Sequence, residues 1–329
     1  MKITSILFAS AAALVAVSGA QAADAIVAAE PEAIEYVRVC DAFGTGFFYI
    51  PGTETCLKIS GLVRTQYDFG RDAKGNSDWN TFSRAQLTFD ARTETDLGAL
   101  RSVITLRGNS DSESSKAVNV QEAYIQLGGL TVGKTYSYWD NDLSGEYDSL
   151  STNSLFNSVR YDVNTGAFEA GVSVDELEAV ALPGSVDNNV GIVGNLGFTA
   201  GAVSANLIGG YDVDREEGAL RLIATADVGP GTLGFAAVWA SGDNAYYGES
   251  KWAVAAEYGV KATDKLKLTV GAQYSDAVAF NSAVDSWTYG VVADYAITSG
   301  LAAKVAVNYT DTDGLDGETT GFVRLNRSF

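Results

Sequence analysis

The chain of 329 residues contains no histidine, only two cysteines, four prolines and one methionine. Without histidine it cannot form Ser-His-Asp or Cys-His catalytic groups, nor the imidazole metal sites that are common in proteins. Beyond the N-terminus there is no long apolar run, and a mean hydropathy of +0.04 argues against a bundle of membrane helices. We therefore predict no cofactor, no metal site and no catalytic residue, and hence no enzyme.

Positive charge is also scarce, since 22 Lys and Arg residues stand against 41 Asp and Glu residues, a net charge of −19. Binding to phosphate backbones needs basic patches, so a nucleic-acid partner is disfavoured. High Gly and Tyr with little Met is instead typical of an exported β-protein.

The first 22 residues have the three parts of a secretory signal. Lys2 provides the positive start, residues 6–17 are apolar, and Ala20-Gln21-Ala22 is a small-x-small cleavage site. The alternative is a membrane helix, but the apolar stretch is too short and no basic flank follows it. We expect export from the cytoplasm and a mature chain of charge −20, since Lys2 is lost and no acid is.

The two cysteines, Cys40 and Cys56, both lie near the mature N-terminus. Because an exported chain meets an oxidising compartment, we predict a disulfide between them. A reactive or metal-binding thiol pair is the alternative, and the spacing, far from C-x-x-C, speaks against it. We place an N-terminal periplasmic segment at 23–55, in which 23–39 has no strand pattern and could be a tail or a small plug.

Alternation of apolar and polar residues dominates the rest of the chain, 56–329. In 57–69, for example, one face carries Leu57, Ile59, Gly61, Val63, Tyr67 and Phe69, and the other carries Lys58, Ser60, Arg64, Gln66 and Asp68. Trp and Tyr recur near the ends of such segments, where a membrane-interface girdle would lie. The period of two predicts β-strands with one apolar and one polar face.

Long polar and short connections take turns between these segments. The long ones lie near 70–78, 109–116, 139–156, 175–188, 212–218, 241–250, 275–285 and 311–319. The short ones lie at 93–97, 128–129, 164–166, 197–202, 228–232, 261–264 and 298–300. A soluble β-sandwich is the alternative, but this asymmetry is typical of outer-membrane barrels. We predict an all-β fold, a closed 16-stranded antiparallel transmembrane barrel.

In such a barrel the apolar face must contact lipid, because unpaired charge is costly in hydrocarbon, and the polar face must line water. The sequence thus predicts a water-filled pore. A non-conducting structural or adhesive barrel is the alternative, but it would need large apolar side chains in the lumen. An outer-membrane hydrolase would need a nucleophile and a base, and neither is found.

Three segments resemble the general-diffusion porins of alphaproteobacteria, of the rhizobial and Brucella type. They are residues 13–61 with "YIPGTETC", residues 128–142 "GGLTVGKTYSYWDND", and the terminal Phe329. The resemblance covers essentially the whole chain. It implies a homotrimer in outer-membrane lipid and lipopolysaccharide, with the third outside loop folded into each lumen. It also implies that Phe329 is the assembly signal, although Arg327 stands where an apolar residue is usual.

The third long connection, 139–156, would then narrow the pore. One wall of the constriction would be acidic: Asp140, Asp142, Glu146 and Asp148. The other would be basic: Lys58, Arg64, Arg84, Arg101, Arg107 and Arg160. Lys134 fits the basic residue before the family's loop, whereas alternation places it on the apolar face. An acidic loop exposed outside the cell is the alternative.

Opposite charges across a narrow aqueous gap orient dipolar solutes and weight ion selectivity. We therefore expect passive diffusion of ions and small hydrophilic solutes, with a mild cation preference because acids are in excess. Residues 128–135 also match the P-loop pattern, but no helix follows them to meet a phosphate. We interpret Gly128-Gly129 as a strand-to-strand turn.

Overall fold

A computed structural model describes residues 37–70, 79–111, 117–177 and 189–329. The predicted signal peptide and most of the segment 23–39 lie outside these residues. The described residues belong to one compact unit, 37–329. Within them, no helix is long and apolar enough to cross a membrane.

The described residues of this unit form one short strand and sixteen long ones. They are β1 (Phe48–Tyr49), β2 (Cys56–Phe69), β3 (Trp79–Thr95), β4 (Gly98–Ser110), β5 (Asn119–Leu127), β6 (Leu130–Tyr136), β7 (Leu155–Asn164), β8 (Phe168–Glu176), β9 (Val190–Ala200), β10 (Val203–Asp212), β11 (Glu217–Val228), β12 (Gly231–Ala240), β13 (Ser250–Lys261), β14 (Leu266–Val278), β15 (Ser286–Thr298), β16 (Leu301–Thr312) and β17 (Glu318–Ser328).

Strands β2 to β17 form a closed barrel in which every strand pairs antiparallel with its neighbours in sequence. Closure comes from β17 on β2, where the register runs from Gly321 opposite Phe69 to Ser328 opposite Leu62. The C-terminal Phe329 continues this ladder and exchanges two backbone hydrogen bonds of 3.0 Å with Gly61. Closure pairs each of the strands β2 to β17 on both sides, and the predicted fold class is confirmed.

Apolar side chains cover the outside of the barrel. Val63, Val172 and Val291 are about half exposed, at 51 %, 51 % and 52 %. Neighbours such as Arg64, Ser173 and Gly290 point inward instead, as the period of two requires. An apolar exterior around a polar interior is stable only if the exterior faces lipid.

The connections alternate in length, but several strands run further than the sequence pattern indicated. The connection between β10 and β11 shrinks to residues 213–216, because the ladder continues up to Asp212 opposite Glu217. It is then no longer than the turn 262–265 between β13 and β14 at the opposite end of the barrel. The turn 201–202 is likewise shorter than predicted, because residues 197–200 still pair with 203–206 in the ladder.

The N-terminal segment is tied to the start of β2. Cys40 and Cys56 form a disulfide with a Cα–Cα distance of 6.0 Å, which confirms the predicted pairing. Cys40 N also donates to Phe47 O at 3.0 Å, and β1 pairs with the first residues of β2. Phe47 is buried and lies beneath the guanidinium of Arg92, 5.0 Å from its ring centroid.

Candidate functional site

The third long connection folds into the lumen, as expected. We call residues 137–154, between β6 and β7, the inward loop. It starts with a single 3₁₀ turn, Tyr138–Asp140, capped by the Ser137 hydroxyl, which accepts from Trp139 N at 3.0 Å. Ser137 N donates to Ser154 O at 2.8 Å, so the two ends of the loop continue the β6–β7 ladder. The residues between them leave the sheet.

Apolar side chains of the inward loop pack on the inner wall. Trp139 is fully buried and stacks on Tyr246 with ring centroids 5.7 Å apart, and Tyr246 in turn meets the edge of Phe156. Leu150 is also buried. Burying such a side chain is worth roughly 1.5–3 kcal/mol. Burial of these apolar side chains therefore anchors the acidic loop on the inner wall.

We call residues 138–142 and 150 the root of the inward loop. The root surrounds one arginine from β11. Arg221 Nη1 donates to Trp139 O at 3.0 Å and to Leu150 O at 3.2 Å, and Nη2 donates to Tyr138 O at 3.2 Å. Its Nη1 also lies 3.2 Å from Asp142 Oδ1. The side chain has no exposed surface.

The tip of the loop is held by a carboxylate from β13. Glu257 accepts hydrogen bonds from Ser144 N at 3.0 Å, from the Ser144 hydroxyl at 2.7 Å and from Gly145 N at 2.8 Å. Tyr147 donates to the carbonyl of Ala256 at 3.1 Å. Charge-assisted bonds of this kind are about twice as strong as neutral ones, so the tip is fixed against β13.

Also at the tip, Glu146 lies close to cations of β16 and β17. Glu146 lies 2.8 Å from Lys304 Nζ and 3.4 Å from Arg324 Nη1. Asn308 donates to the Glu146 carbonyl at 2.7 Å. The charge of Glu146 is therefore largely balanced inside the lumen.

The other acids of the loop are less well balanced. Partial burial raises the pKa of Asp140 and Asp142, although Arg221 opposes the rise in both. Burial, followed by the charge of Asp142, raises the pKa of Asp148 to about 7. Within the described residues the Asp148 Oδ2 atom has no hydrogen-bond partner. Asp148 therefore changes charge near neutral pH.

Three of the predicted basic residues form a cluster on β2, β3 and β4, which we call the arginine wall: Arg64, Arg84 and Arg107. Arg64 lies directly opposite Arg84 in the register. Arg64 donates to Asn326, Arg84 to Asn109, and Arg107 to Gln86 and Tyr136, which are uncharged amides and a phenol. Among the residues that the structure describes, no carboxylate is bonded to the wall, so it carries positive charge.

The remaining predicted basic residues lie elsewhere. Arg101 pairs with Asp90 at 3.0 Å and Arg160 with Asp162 at 2.9 Å. Lys58 lies over the Phe47 ring, 5.8 Å from its centroid, beside the N-terminal segment. Lys134 shares its strand face with exposed Val132, whereas the alternate residues Thr131 and Thr135 are buried. It is therefore not brought together with the arginine wall.

Among the charged residues that bind the loop, several were not singled out from the sequence, chief among them Arg221, Glu257, Lys304 and Arg324. Each lies on the polar face of its strand, and Arg221 stands alone between Ala219 and Ile223 on that face. A single arginine among small and apolar inward residues is the one sequence signal that marks it. Its partners are 71 to 83 positions away in the chain, so no local pattern could name them.

These features together define a class of protein. A closed antiparallel barrel with an apolar exterior, a charged lumen and a loop that narrows this lumen is a channel of the outer membrane.

Comparison with known proteins gives the family. The family model described as the porin subfamily matches residues 24–323. Outer membrane protein IIIA of Rhizobium leguminosarum bv. viciae is 45 % identical over 98 % of this chain and 93 % of its own length. Porin Omp2b of Brucella suis biovar 1 is 33 % identical over the full length of both. The chain belongs to the porin subfamily: it is an outer-membrane porin, a channel rather than an enzyme.

A solved structure agrees at the level of the fold. The trimer form of OmpT, an outer membrane protein of Vibrio cholerae, superposes with a TM-score of 0.66 at 14 % identity. The match covers 84 % of this chain and all of the other.

Proposed function

We propose that solutes pass through the gap between the inward loop and the arginine wall, and that this gap is the constriction of the pore. The inward loop is fastened to β11, β13 and β16, and its Glu146 also pairs with Arg324 of β17, the strand beside β2. The arginine wall on β2 to β4 faces the space that remains. The observation that carries the proposal is that its arginines are bonded to neutral groups, so their charge acts on the water beside them.

A positive wall and a loop with Asp140, Asp142 and Asp148 would create a field across the gap. Such a field orients dipolar solutes and needs no energy input, so transport is passive diffusion of ions and small hydrophilic molecules. We propose no catalysis, because the chain has no histidine to serve as a base.

We propose a mild cation preference that arises at the outer mouth. In the described parts of the long connections outside the inward loop, eight carboxylates accompany one arginine, Arg215. The carboxylates are Asp111, Asp214, Glu216, Asp243, Glu249, Asp285, Asp313 and Asp316. Negative charge at a channel entrance raises the local concentration of cations.

The constriction is tested with the double variant Arg84→Gln, Arg107→Gln in a planar bilayer under a KCl gradient. Loss of two wall charges should move the reversal potential further toward K⁺ and change the unit conductance. The control is Arg327→Gln, which removes a charge at the short-turn end of β17, where Arg327 donates to the Gly300 carbonyl. A double variant that behaves like this control would contradict the proposed position of the constriction.

The assembly is also a proposal. Because a trimer form exists for a protein of the same fold, we propose a homotrimer in outer-membrane lipid and lipopolysaccharide. We also propose that residues 1–22 are removed on export and that Phe329 serves as the assembly signal. Sequencing the N-terminus of the mature protein would test the removal of residues 1–22. Measuring the mass of the detergent-solubilised complex would test the homotrimer.

A further inference from the structure

Arg221 occupies an unusual place in the lumen. On β11 its neighbours Leu220 and Leu222 point out toward lipid, with 48 % and 37 % exposure, and Ala219 and Ile223 share its inward face and are buried. The inward loop covers the guanidinium completely. It is therefore an arginine of the inner wall that has no contact with the water of the pore.

The hydrogen bonds of Arg221 join the two arms of the loop. Tyr138 O and Trp139 O belong to the entering arm, and Leu150 O belongs to the leaving arm. The guanidinium also lies over the Trp139 ring, 5.0 Å from its centroid. One side chain thus ties both arms to each other and to β11.

We propose that Arg221 is the positioning residue of the inward loop, and that it determines the width of the pore by holding the loop root against β11. The argument rests on the proposed constriction, because the position of the loop matters for transport only if solutes pass beside it. Arg221 itself touches no solute.

The chemistry of the site explains why an arginine is needed. Three carbonyls and one carboxylate must be reached from one point, and the planar guanidinium offers several donors in a fixed fork. Asp142 balances the charge, which would otherwise be buried at high cost. A lysine ammonium is a point charge that cannot reach both arms in the same geometry.

Without Arg221, three carbonyls that now face the wall would be left unpaired under the loop, and Asp142, whose side chain is partly exposed, would lose its cation. Buried polar groups without partners are unfavourable, so the root should move into the lumen water. The tip contacts at Glu257 and the Glu146 pair with Lys304 do not involve Arg221 and remain. The root should then loosen from β11, while the tip and the two ends of the loop, which continue the β6–β7 ladder, stay in place.

The test uses a thiol placed at the root. The chain's two cysteines form the Cys40–Cys56 disulfide, so Leu150→Cys supplies a single reactive thiol at a position only 2 % exposed. With Arg221 present this thiol should react slowly with a water-soluble thiosulfonate. Adding Arg221→Gln should speed the reaction about tenfold or more, the factor expected from losing at least one charged hydrogen bond. Arg221→Lys should lie between the two.

The same variants are then compared for unit conductance and for the size limit of sugars in liposome swelling. Arg327→Gln is the matched control, because Arg327 also donates to backbone carbonyls but lies far from the loop. Faster labelling with altered conductance supports both the positioning role of Arg221 and the proposed constriction. Faster labelling with unchanged conductance and size limit would still show that Arg221 anchors the root. It would overturn the control of pore width by Arg221, together with the proposed constriction.

Unchanged labelling in a folded Arg221→Gln barrel overturns the role of Arg221. Folding is checked by the heat-modifiable migration of the barrel in detergent gels. If Arg221→Gln does not fold, Arg221→Lys, which keeps the charge beside Asp142, decides by the same labelling rate: a rate equal to that of the parent overturns the proposal.

Discussion

Single residues of the inward loop show how far formal charge differs from charge that acts on the pore. Glu146 is balanced by Lys304 and Arg324, and Asp142 by Arg221. Asp140 accepts a hydrogen bond from the Ser154 hydroxyl at 2.9 Å. Of the four acids of the loop, only Asp148 combines burial with an oxygen atom that has no hydrogen-bond partner among the described residues. Counting carboxylates along the loop therefore overstates its negative charge at neutral pH.

Asp148 makes the selectivity of the pore depend on pH. Its pKa of about 7 lies above the ordinary carboxyl value, so the group is neutral below pH 6 and charged above pH 8. We expect the cation preference, measured as a reversal potential at pH 5, 7 and 9, to rise through neutrality. Asp148→Asn should remove this step, and Asp316→Asn, at an exposed carboxylate of the mouth, should keep it.

The same shift has a consequence for stability. Between the ordinary pKa and about 7, the folded protein holds one proton more at Asp148 than the unfolded chain does. The contribution of this group to stability is therefore present at low pH and is lost as the pH rises toward 7. The stability of the folded protein to denaturant would be measured at pH 5 and pH 7. If it increased with pH in wild type, but not in Asp148→Asn, the raised pKa of Asp148 would be contradicted.

At the scale of elements, the strands beneath the inward loop are shaped to receive it. Gly271 on β14 and Gly290 on β15 point inward below Tyr147, and a Cβ atom at either position would collide with that side chain. The absence of side chains at these two glycines therefore leaves the space that Tyr147 occupies, so the tip of the loop is complementary in shape to the wall.

Gly271→Ala should push Tyr147 off the wall. Overpacking of this kind costs about 1–3 kcal/mol, which the tip would relieve by moving into the lumen. We expect lower stability to denaturant and altered unit conductance. Gly194→Ala on β9 is the matched control, since its Cβ would meet no atom within 4 Å. Equal effects of the two substitutions would show that the tip does not depend on this fit.

For the whole molecule, two charge patterns act at different distances. In the proposed constriction, the arginine wall lies where an ion would pass close to it. The carboxylates of the outer mouth act through water and are screened by salt. The Debye length falls from about 10 Å at 0.1 M to about 3 Å at 1 M, so the mouth loses its influence first.

The cation preference should therefore weaken with ionic strength. Reversal potentials under tenfold KCl gradients should be largest between 10 and 100 mM, values at which the Debye length is roughly 10–30 Å, and much smaller near 1 M. In the double variant Arg84→Gln, Arg107→Gln, part of the cation preference should persist at 1 M, because the remaining charges act at close range. A preference independent of salt in the wild type would place its origin in the constriction and not at the mouth.

The sequence by itself determined the strands and the apolar exterior, because alternation with a period of two is a local property. The alternating long and short connections gave the strand number, and the oxidising compartment of an exported chain gave the disulfide. The loop's acids and the arginine wall could also be named from it. Only the tertiary structure decided which charges face the pore. Closure of β17 on β2 brings strands far apart in sequence around one lumen, so Arg221 and Glu257 meet a loop 71 or more positions away. Lys134 illustrates the same limit, since its direction follows from its register between β5 and β7.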